Sequence, residues 1–356
     1  MQLQACLTAL NLEIVINLNT VIFFGFFIIV VASLNLMYGY AGLPFLAGAA
    51  PMLAGGIAFS AITTRLAFLL AQWTGASLHP YTSEMDWVYN SEYNVKVVNI
   101  YLETRPALCI TLIVFSIAVA MLFGAVAGWI VSRPAIHLKP QYFIISNLCL
   151  VLLAEYAGTR VVLLSGGYTG VYVPNLLAFY GGDRHVAIAV ISLTIASFVL
   201  LLTRRLRDSP YGRLLVAIRD NEVAAASLGK NTVRVKESAI LAGSALMATA
   251  GVLLAIYYMF VVQANYHNSY WGYWPVCMLI VGGAGNDLGV ILGVLLVQAV
   301  RWLPLVFRDE LNFLFFPVAY LSNIILALCL LMFLILRPKG ILKEKTRPIN
   351  AKTGKE

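Results

Sequence analysis

Long runs of apolar residues constrain this chain more than any other feature of its sequence. A helix needs about 20 apolar residues to cross the hydrocarbon core of a bilayer. Backbone groups cannot hydrogen-bond to lipid, so a crossing segment must satisfy them internally, as a helix does. We therefore predict an all-α polytopic membrane protein. Uninterrupted crossings are predicted at 14–38, 107–131, 141–164, 186–203, 238–262 and 313–336.

The composition agrees with a membrane protein and excludes a soluble one. Only 11% of the 356 residues are charged and 61% are hydrophobic, whereas about 25% of the residues of a soluble domain are charged. In a soluble protein the formal net charge of +8 would suggest a nucleic-acid partner. In a membrane protein it fits the excess of Lys and Arg in cytoplasmic loops. We predict contact with membrane lipid and no nucleic-acid partner.

Two apolar stretches are interrupted by glycine. The first, Gly39–Gly56, also contains Pro44 and Pro51, and the second is broken at Gly282–Gly289, after an apolar segment too short to cross alone. Irregular backbone at membrane depth is tolerated only where protein buries it or where it lines a cavity. The first stretch could equally be a helix with a small-residue packing face. With these two glycine-broken segments, we predict about eight transmembrane helices.

The distribution of basic residues indicates the orientation. The segments 132–140, 204–237 and 337–356 hold two, eight and seven Lys or Arg residues, which make 17 of the 24 in the chain. Such an excess is typical of cytoplasmic segments. We therefore place these three segments, including the basic C-terminal tail, in the cytoplasm of a multi-pass cell-membrane protein, and the polar loop 72–106 outside. The N-terminus is predicted to be external, and residues 1–356 to form a single transmembrane domain.

The cytoplasmic segment 204–237 contains two predicted short helices. Ser209 can cap the first helix, with Pro210 at its first position, where no backbone N–H is needed. Asn221 can cap the second helix, and Gly229 can end it in the left-handed conformation. Both helices are amphipathic and lie between two membrane crossings. We expect them to form a docking surface rather than a linker.

No arrangement of residues points to an enzyme. The chain has no Gly-x-x-x-x-Gly-Lys-[Ser/Thr] loop for ATP phosphates, and Gly283-x-Gly285 lacks the third glycine of a dinucleotide site. The four histidines lie far apart in predicted loops, and the five cysteines have no metal-like spacing. We predict no catalytic residues, no metal and no cofactor bound by this chain.

Polar residues inside predicted crossings are candidates for a transport pathway. Glu155 could line such a pathway, or it could hydrogen-bond with Thr159 one turn on or with a partner in another helix. Asn286 and Asp287 follow the second glycine break, where they could cap the next half-helix or contact a substrate. Arg160 is close enough to a helix end to reach the membrane interface.

The run SPYGRLLVAIRDNEVAAASLGKN (209–231) resembles the ATPase-docking loop of permeases from branched-chain amino-acid ABC importers, in particular the LivM half of the LivH/LivM pair. The C-terminal run LRPKGIL (336–342) is also similar to the usual end of this family. The resemblance covers most residues from about 30 onward. Four further stretches match in order: LNLMYGYAGL (34–43), LKPQYFIISNLCLVLLAE (138–155), SGGYTGVYVP (165–174) and VGGAGNDLGVILG (281–293).

The resemblance implies the fold of an ABC importer permease and a translocation path for branched-chain or related amino acids. It also implies three partners, namely ABC ATPase subunits that use ATP, a second homologous permease, and an extracellular or periplasmic substrate-binding protein. The residues implied in ATPase docking are Ser209, Gly212, Arg219, Asp220, Glu222, Ala224, Ala225, Leu228 and Gly229.

A branched-chain amino acid carries two charges and an apolar side chain, so its route needs neutral polar groups and exposed backbone. Both glycine breaks offer these groups, and small residues let two interrupted helices approach closely. The predicted translocation path comprises residues at and beside the breaks: Asn35, Gly39, Gly42, Gly283, Gly285 and Asn286.

Two features depart from the family pattern. The run FLAG (45–48) stands where the family commonly has Ser-Leu-Gly-His, and the 72–106 loop is longer than usual. Both lie on the predicted substrate route or outer face, so they bear on the solute rather than on the architecture. A self-sufficient secondary transporter or channel is the alternative function, because such proteins also use broken helices. That alternative gives no reason for paired docking helices.

Overall fold

The computed structural model describes residues 18–134, 136–306, 318–337 and 340–342. Within these ranges, six helices are long and apolar enough to cross a membrane. They span Leu18–Tyr40, Ala49–Trp73, Pro106–Ser132, Pro140–Arg160, Arg184–Asp208 and Thr232–Tyr258. The predicted all-α polytopic architecture agrees with this arrangement.

The first two spans combine α and π geometry. Helix α1 (Leu18–Leu34) continues as a π-helix at Asn35–Tyr40, and α2 (Ala49–Ala58) continues as a π-helix at Phe59–Thr64. Residues 41–48 between the two spans are not helical, and most of them are buried. This is the condition under which irregular backbone is stable at membrane depth.

The remaining helices and strands follow in chain order. They are α3 (Arg65–Trp73), α4 (Glu84–Tyr89), α5 (Ser91–Glu103), α6 (Pro106–Ser132), α7 (Pro140–Arg160), α8 (Val162–Ser165), β1 (Val171–Tyr172), α9 (Arg184–Asp208), α10 (Pro210–Asp220), α11 (Glu222–Ser227), α12 (Thr232–Tyr258), β2 (Phe260–Val261), α13 (Asn268–Trp271), α14 (Tyr273–Gly282), α15 (Asp287–Val306) and α16 (Val318–Leu336).

The glycine-rich segment after α14 forms a sharp bend. The chain is bent by 118° between its two sides, Gln263–Gly282 and Asp287–Trp302. At about 1.5 Å per residue, the 10 residues of α14 are too short to cross a hydrocarbon core of about 30 Å. The described residues therefore contain six spans, or seven when the bent pair is counted as one. The start of the predicted last crossing, 313–317, lies outside the described residues.

Close packing around α12 forms the centre of the fold. A Cβ added at Gly251 of α12 would lie 2.1 Å from the carbonyl oxygen of Met52, and one added at Gly124 of α6 would lie 2.3 Å from the Cβ of Ala248. Small residues allow helix backbones to approach this closely in a membrane. Because α12 begins directly after the two short helices α10 and α11, this rigid centre fixes one end of the segment that carries them.

The connecting segments gather at two opposite ends of the helices. At one end, the Asn175 N–H donates to Asn99 Oδ1 at 2.8 Å, and β1 pairs antiparallel with β2. At the other end, Arg133 forms an ion pair with Glu237 at 3.2 Å. Helix α6 runs between them, so the acidic loop before it and the basic segment after it lie at opposite ends of the protein.

Two sequence-based boundaries are wrong. The crossing predicted at 238–262 ends earlier, because α12 stops at Tyr258 and Phe260–Val261 is strand β2. Met259 between them is in the left-handed conformation, with φ of 51°, which ends the helix. The same helix also begins six residues earlier than predicted, at Thr232, and the chain after β2 forms a 3-10 helix, Gln263–Tyr266, followed by α13.

Candidate coupling and translocation site

The two short helices predicted in the basic segment are present as α10 and α11. Ser209 Oγ accepts a hydrogen bond from the Gly212 N–H at 3.3 Å and caps α10, whose first residue is proline. Asn221 Oδ1 accepts from the Ala224 N–H at 3.0 Å and caps α11. Gly229 follows in the left-handed conformation, with φ of 74°. The predicted caps and the predicted glycine conformation are therefore confirmed.

Helix α10 is anchored by its inward face. Leu215 is buried, and the Tyr211 hydroxyl shares a hydrogen bond of 2.7 Å with Ser238 Oγ of α12. A Cβ at Gly212 would lie 2.3 Å from the carbonyl oxygen of Arg207 in α9, so a larger residue would push the two helices apart. Helix α10 is therefore in contact with both membrane helices between which it lies.

Arg219 connects α10 to the interrupted segment after α1. Its guanidinium donates a hydrogen bond to the Gly39 carbonyl in the π-helix. Its aliphatic carbons cover Gly42, whose φ is 68°, and a Cβ there would lie 2.6 Å from Arg219 Cγ. Asp220 pairs with Arg219 at 3.2 Å. The sequence predicts Arg219 as a docking residue, and the structure places it against the predicted path.

Helix α11 has one residue packed inward and an exposed apolar surface. Ala225 is buried, whereas Val223 and Leu228 are each 79% exposed. The Glu222 carboxylate pairs with Lys236 of α12 at 2.6 Å. Partial burial acts to raise the pKa of Glu222, but the hydrogen bond and charge of Lys236 outweigh it and hold the pKa below its usual range. Val223 lies in the second predicted helix, although it is not among the residues that the resemblance implies in docking.

A cluster of polar side chains joins the π-helix after α1 to the bend after α14. Asn35 Oδ1 accepts from the Gly285 N–H at 2.8 Å, and Asn35 Nδ2 donates to the Tyr40 hydroxyl at 3.1 Å. The Tyr40 hydroxyl donates to Asp287 Oδ1 at 2.6 Å. Asp287 Oδ2 forms an ion pair with Arg207 at 2.6 Å. One continuous chain of contacts therefore connects the first crossing, the start of α15 and the end of α9.

The bend that carries this cluster is built on glycine. Gly283 and Gly285 have φ of 107° and 83°, a backbone conformation that residues with a Cβ rarely adopt. Asn286 Oδ1 accepts from the Leu288 N–H at 3.1 Å, which caps the start of α15. The Ile341 N–H donates to the last turn of α14 at 3.0 Å. The chain just beyond α16 therefore packs against the bend.

The structure brings predicted docking and path residues together at one end of the protein. Gly39 and Gly42 contact α10, and Gly285 contacts the first crossing through Asn35. Sequence reasoning missed Tyr40 and Arg207, because Tyr40 and its partner Asp287 are 247 positions apart and no local pattern pairs them. The available indication was chemical, since a buried acid requires a partner.

Glu155 belongs to a different region, next to α13. Its Oε1 accepts from the Asn268 N–H at 2.5 Å, and its Oε2 lies 3.7 Å from His267 Nε2. The expectation of a partner in another element is confirmed. The alternative bond to Thr159 is wrong, because the Thr159 hydroxyl donates to the Tyr156 carbonyl at 2.7 Å.

The chemistry of the site is that of a transporter component. The part of the chain that the structure describes contains no group of three or more His, Cys, Asp or Glu that could hold a metal ion. It contains several helices long enough to cross a membrane, a buried polar cluster at a broken helix, and two short helices, of which α10 contacts the segment that carries this cluster. These features define a polytopic membrane permease.

Comparison with known proteins identifies the family. A family model described as "branched-chain amino acid transport system / permease component" matches residues 16–336. The chain belongs to this family. A probable branched-chain amino acid transport permease protein LivM from Methanocaldococcus jannaschii is 31% identical over 328 residues, which cover 91% of this chain and 92% of the relative.

More distant relatives include both members of a permease pair. The high-affinity branched-chain amino acid transport system permease protein LivM of Escherichia coli is 26% identical over 65% of this chain and 57% of its own length. The LivH protein of Salmonella typhimurium is 26% identical over 63% of this chain and 72% of its own length. No solved structure matches the chain.

The ion pair between Arg207 and Asp287 is expected to contribute measurably to stability. In a double-mutant cycle with Arg207→Gln and Asp287→Asn, we expect a coupling energy of about 1–3 kcal/mol, because both groups are largely buried. Unfolding in mixed micelles measures it. The exposed pair Glu92–Lys96, with side chains 55% and 70% exposed, is the control and is expected to show no measurable coupling. Equal coupling in the two pairs would contradict a structural role for Asp287.

Proposed function

We propose that this chain is the permease subunit of an ATP-driven importer for branched-chain or related amino acids. The observation that carries this proposal is the hydrogen bond from Arg219 of α10 to the Gly39 carbonyl. It joins a surface outside the membrane to a segment that we assign to the translocation path. The family, together with the LivM and LivH names of the relatives, supports the solute class.

The docking surface for the ATPase subunits consists of α10 and α11. Exposed apolar side chains outside the membrane, here Val223 and Leu228, favour coverage by a protein partner. Gly212 and the buried Ala225 serve this surface indirectly, because their small size lets α10 and α11 pack on the membrane helices. This chain supplies the surface and the path, and ATP is bound and hydrolysed by the partner subunits.

Movement of the docking surface reaches the path through two contacts. Arg219 connects α10 to Gly39, and Arg207 connects the end of α9 to Asp287 beside the bend. Because α10 is packed on α9 and α12, a displacement imposed by an ATPase moves rigid helices rather than a flexible linker. The path residues Asn35, Gly39, Gly42, Gly283, Gly285 and Asn286 lie on or beside these contacts.

We further propose eight membrane-embedded units, of which seven cross the membrane. They are the six long spans, the bent pair of α14 and α15, and α16, whose 19 residues extend about 28 Å. The bent pair begins near β2, and its bend lies near the docking helices. It therefore enters and leaves the membrane on the same side. With the N-terminus outside, the docking helices and the C-terminus then lie in the cytoplasm, which agrees with the excess of basic residues there.

The remaining partners follow from the same proposal. A second homologous permease pairs with this chain, because its relatives include both LivM and LivH proteins. A substrate-binding protein delivers the solute at the opposite end, where the elements of the 72–106 loop and β1 lie. Membrane lipid covers the exposed apolar faces of the helices.

Leu228→Asp is expected to abolish ATPase binding by placing a charge at the centre of the apolar docking surface. Co-purification of the ATPase should fall at least about tenfold, which corresponds to about 1.4 kcal/mol, and substrate-stimulated ATP hydrolysis should be lost. Met85→Asp, at a residue that is 72% exposed at the opposite end, is the control. A self-sufficient transporter or channel would be indicated by full solute uptake in the Leu228→Asp variant without any ATPase.

Gly285→Ala is expected to block uptake while leaving ATPase binding intact. A Cβ at φ of 83° strains the bend. It also displaces the backbone N–H of residue 285, which donates a hydrogen bond to Asn35 Oδ1. Gly75→Ala is the matched control, since Gly75 has φ of 91° and nothing within 4 Å of an added Cβ. The measurement is uptake of a labelled branched-chain amino acid into vesicles that contain the whole complex. Normal uptake by the Gly285 variant would remove the bend from the path.

Thiol labelling tests the proposed orientation. In a variant without the five native cysteines, an impermeant reagent added outside cells should modify a cysteine placed at Glu92 or Tyr172. It should not modify a cysteine at Arg213 in α10. A position such as Lys343 belongs to the proposed cytoplasmic tail but lies outside the described residues. Labelling of Arg213→Cys from outside would reverse the orientation.

A further inference from the structure

A cavity of about 360 Å³ lies between α9 and the start of α15. Five of its lining residues come from one face of α9: Ser197, Leu200, Leu201, Arg204 and Arg207. The other four come from the capped N-terminus of α15: Asn286, Asp287, Leu288 and Ile291. The cavity is therefore polar at the end near the docking helices and apolar along the rest of its length.

Two arginines and one acid line the polar end, and Asp208, which does not line the cavity, also pairs with Arg207 at 3.1 Å. Asp287 is the acidic residue among those that line the cavity. Its carboxylate is neutralised by the ion pair with Arg207 and accepts a hydrogen bond from Tyr40. Arg204 lies one turn from Arg207 and has no hydrogen-bond or ion-pair partner among the described residues. The N-terminus of α15 adds a partial positive charge. The end of the cavity therefore suits an anion.

The whole wall of the cavity on α9, with the polar end included, has about the length of one lipid leaflet. From Arg207 to Ser197 the wall of α9 covers ten residues, which is about 15 Å at about 1.5 Å per residue. Half of a hydrocarbon core of about 30 Å is also about 15 Å. Leu201 and Leu288, on opposite walls, are 59% and 57% exposed, so the cavity is open at its side toward the surroundings of the helices.

We propose that this cavity binds one anionic phospholipid, with its phosphate at Arg204 and an acyl chain along Leu201 and Leu288. Basic pockets between membrane helices on the cytoplasmic side are suited to anionic headgroups. The amino-acid solute fits the cavity less well, because both of its charges are carried by one carbon and it needs no elongated cavity with an apolar wall. The lipid would lie directly beside Asp287 and hence beside the contact that links α9 to the bend.

The test uses the purified full-length chain and phosphatidylglycerol as the probe. Native mass spectrometry, after transfer from vesicles of phosphatidylcholine with phosphatidylglycerol, should show one retained phosphatidylglycerol. Arg204→Gln should weaken its retention about fivefold, the effect of one Arg at a membrane surface. Arg205→Gln removes the same charge from the adjacent residue, which does not line the cavity, and should leave retention unchanged.

A second variant tests the groove without altering charge. Ile291→Trp narrows the cavity at its apolar wall and should also reduce retention of the lipid, while the chain remains inserted. Equal losses of lipid retention in the Arg204 and Arg205 variants would show that only the general surface charge matters. That result would overturn the proposal. Displacement of the lipid by inorganic phosphate alone, or by assembly with the second permease, would also overturn it, in favour of a free-anion site or a subunit interface.

Discussion

The Asp287 carboxylate, at the bend between α14 and α15, is the interaction on which the rest of this structure depends. A largely buried carboxylate is stable only if it is paired and hydrogen-bonded. Arg207 supplies the charge and Tyr40 the hydrogen bond, at 2.6 Å each. These partners come from α9 and from the first crossing, so the requirement of one acid fixes three distant segments of the chain. These contacts fix the position of the glycine bend relative to α10.

Much of the architecture was predictable because it follows from local rules. Apolar runs predict crossings because water is absent from the membrane core. Ser209 and Asn221 predict helix starts because each side chain satisfies an N–H two or three residues on. Gly229 predicts a helix end because its left-handed conformation excludes most other residues. Each rule uses only neighbouring residues, so the short helices α10 and α11 could be placed from the sequence, including the cap residues themselves.

The remainder depends on contacts between distant residues. Nothing near Arg219 indicates that its guanidinium reaches Gly39 rather than a partner protein. Likewise Ala225, in a stretch of alanines, is buried while its neighbours are exposed. The early end of α12 depends on β2 pairing with β1, which lies about 90 residues away along the chain. A pattern of 3.6-residue periodicity contains no information on such pairings.

The π-helix at Asn35–Tyr40 has a consequence for helix register. In an α-helix, residues five apart point about 140° away from each other, at about 100° per residue. The wider turn of a π-helix brings such residues onto one side, which allows Asn35 to donate to the Tyr40 hydroxyl. A return to α geometry would rotate Tyr40 away from Asn35. The extra residue in this turn therefore sets the helix register of the first crossing. A shift of one residue would separate the first crossing from both Gly285 and Asp287.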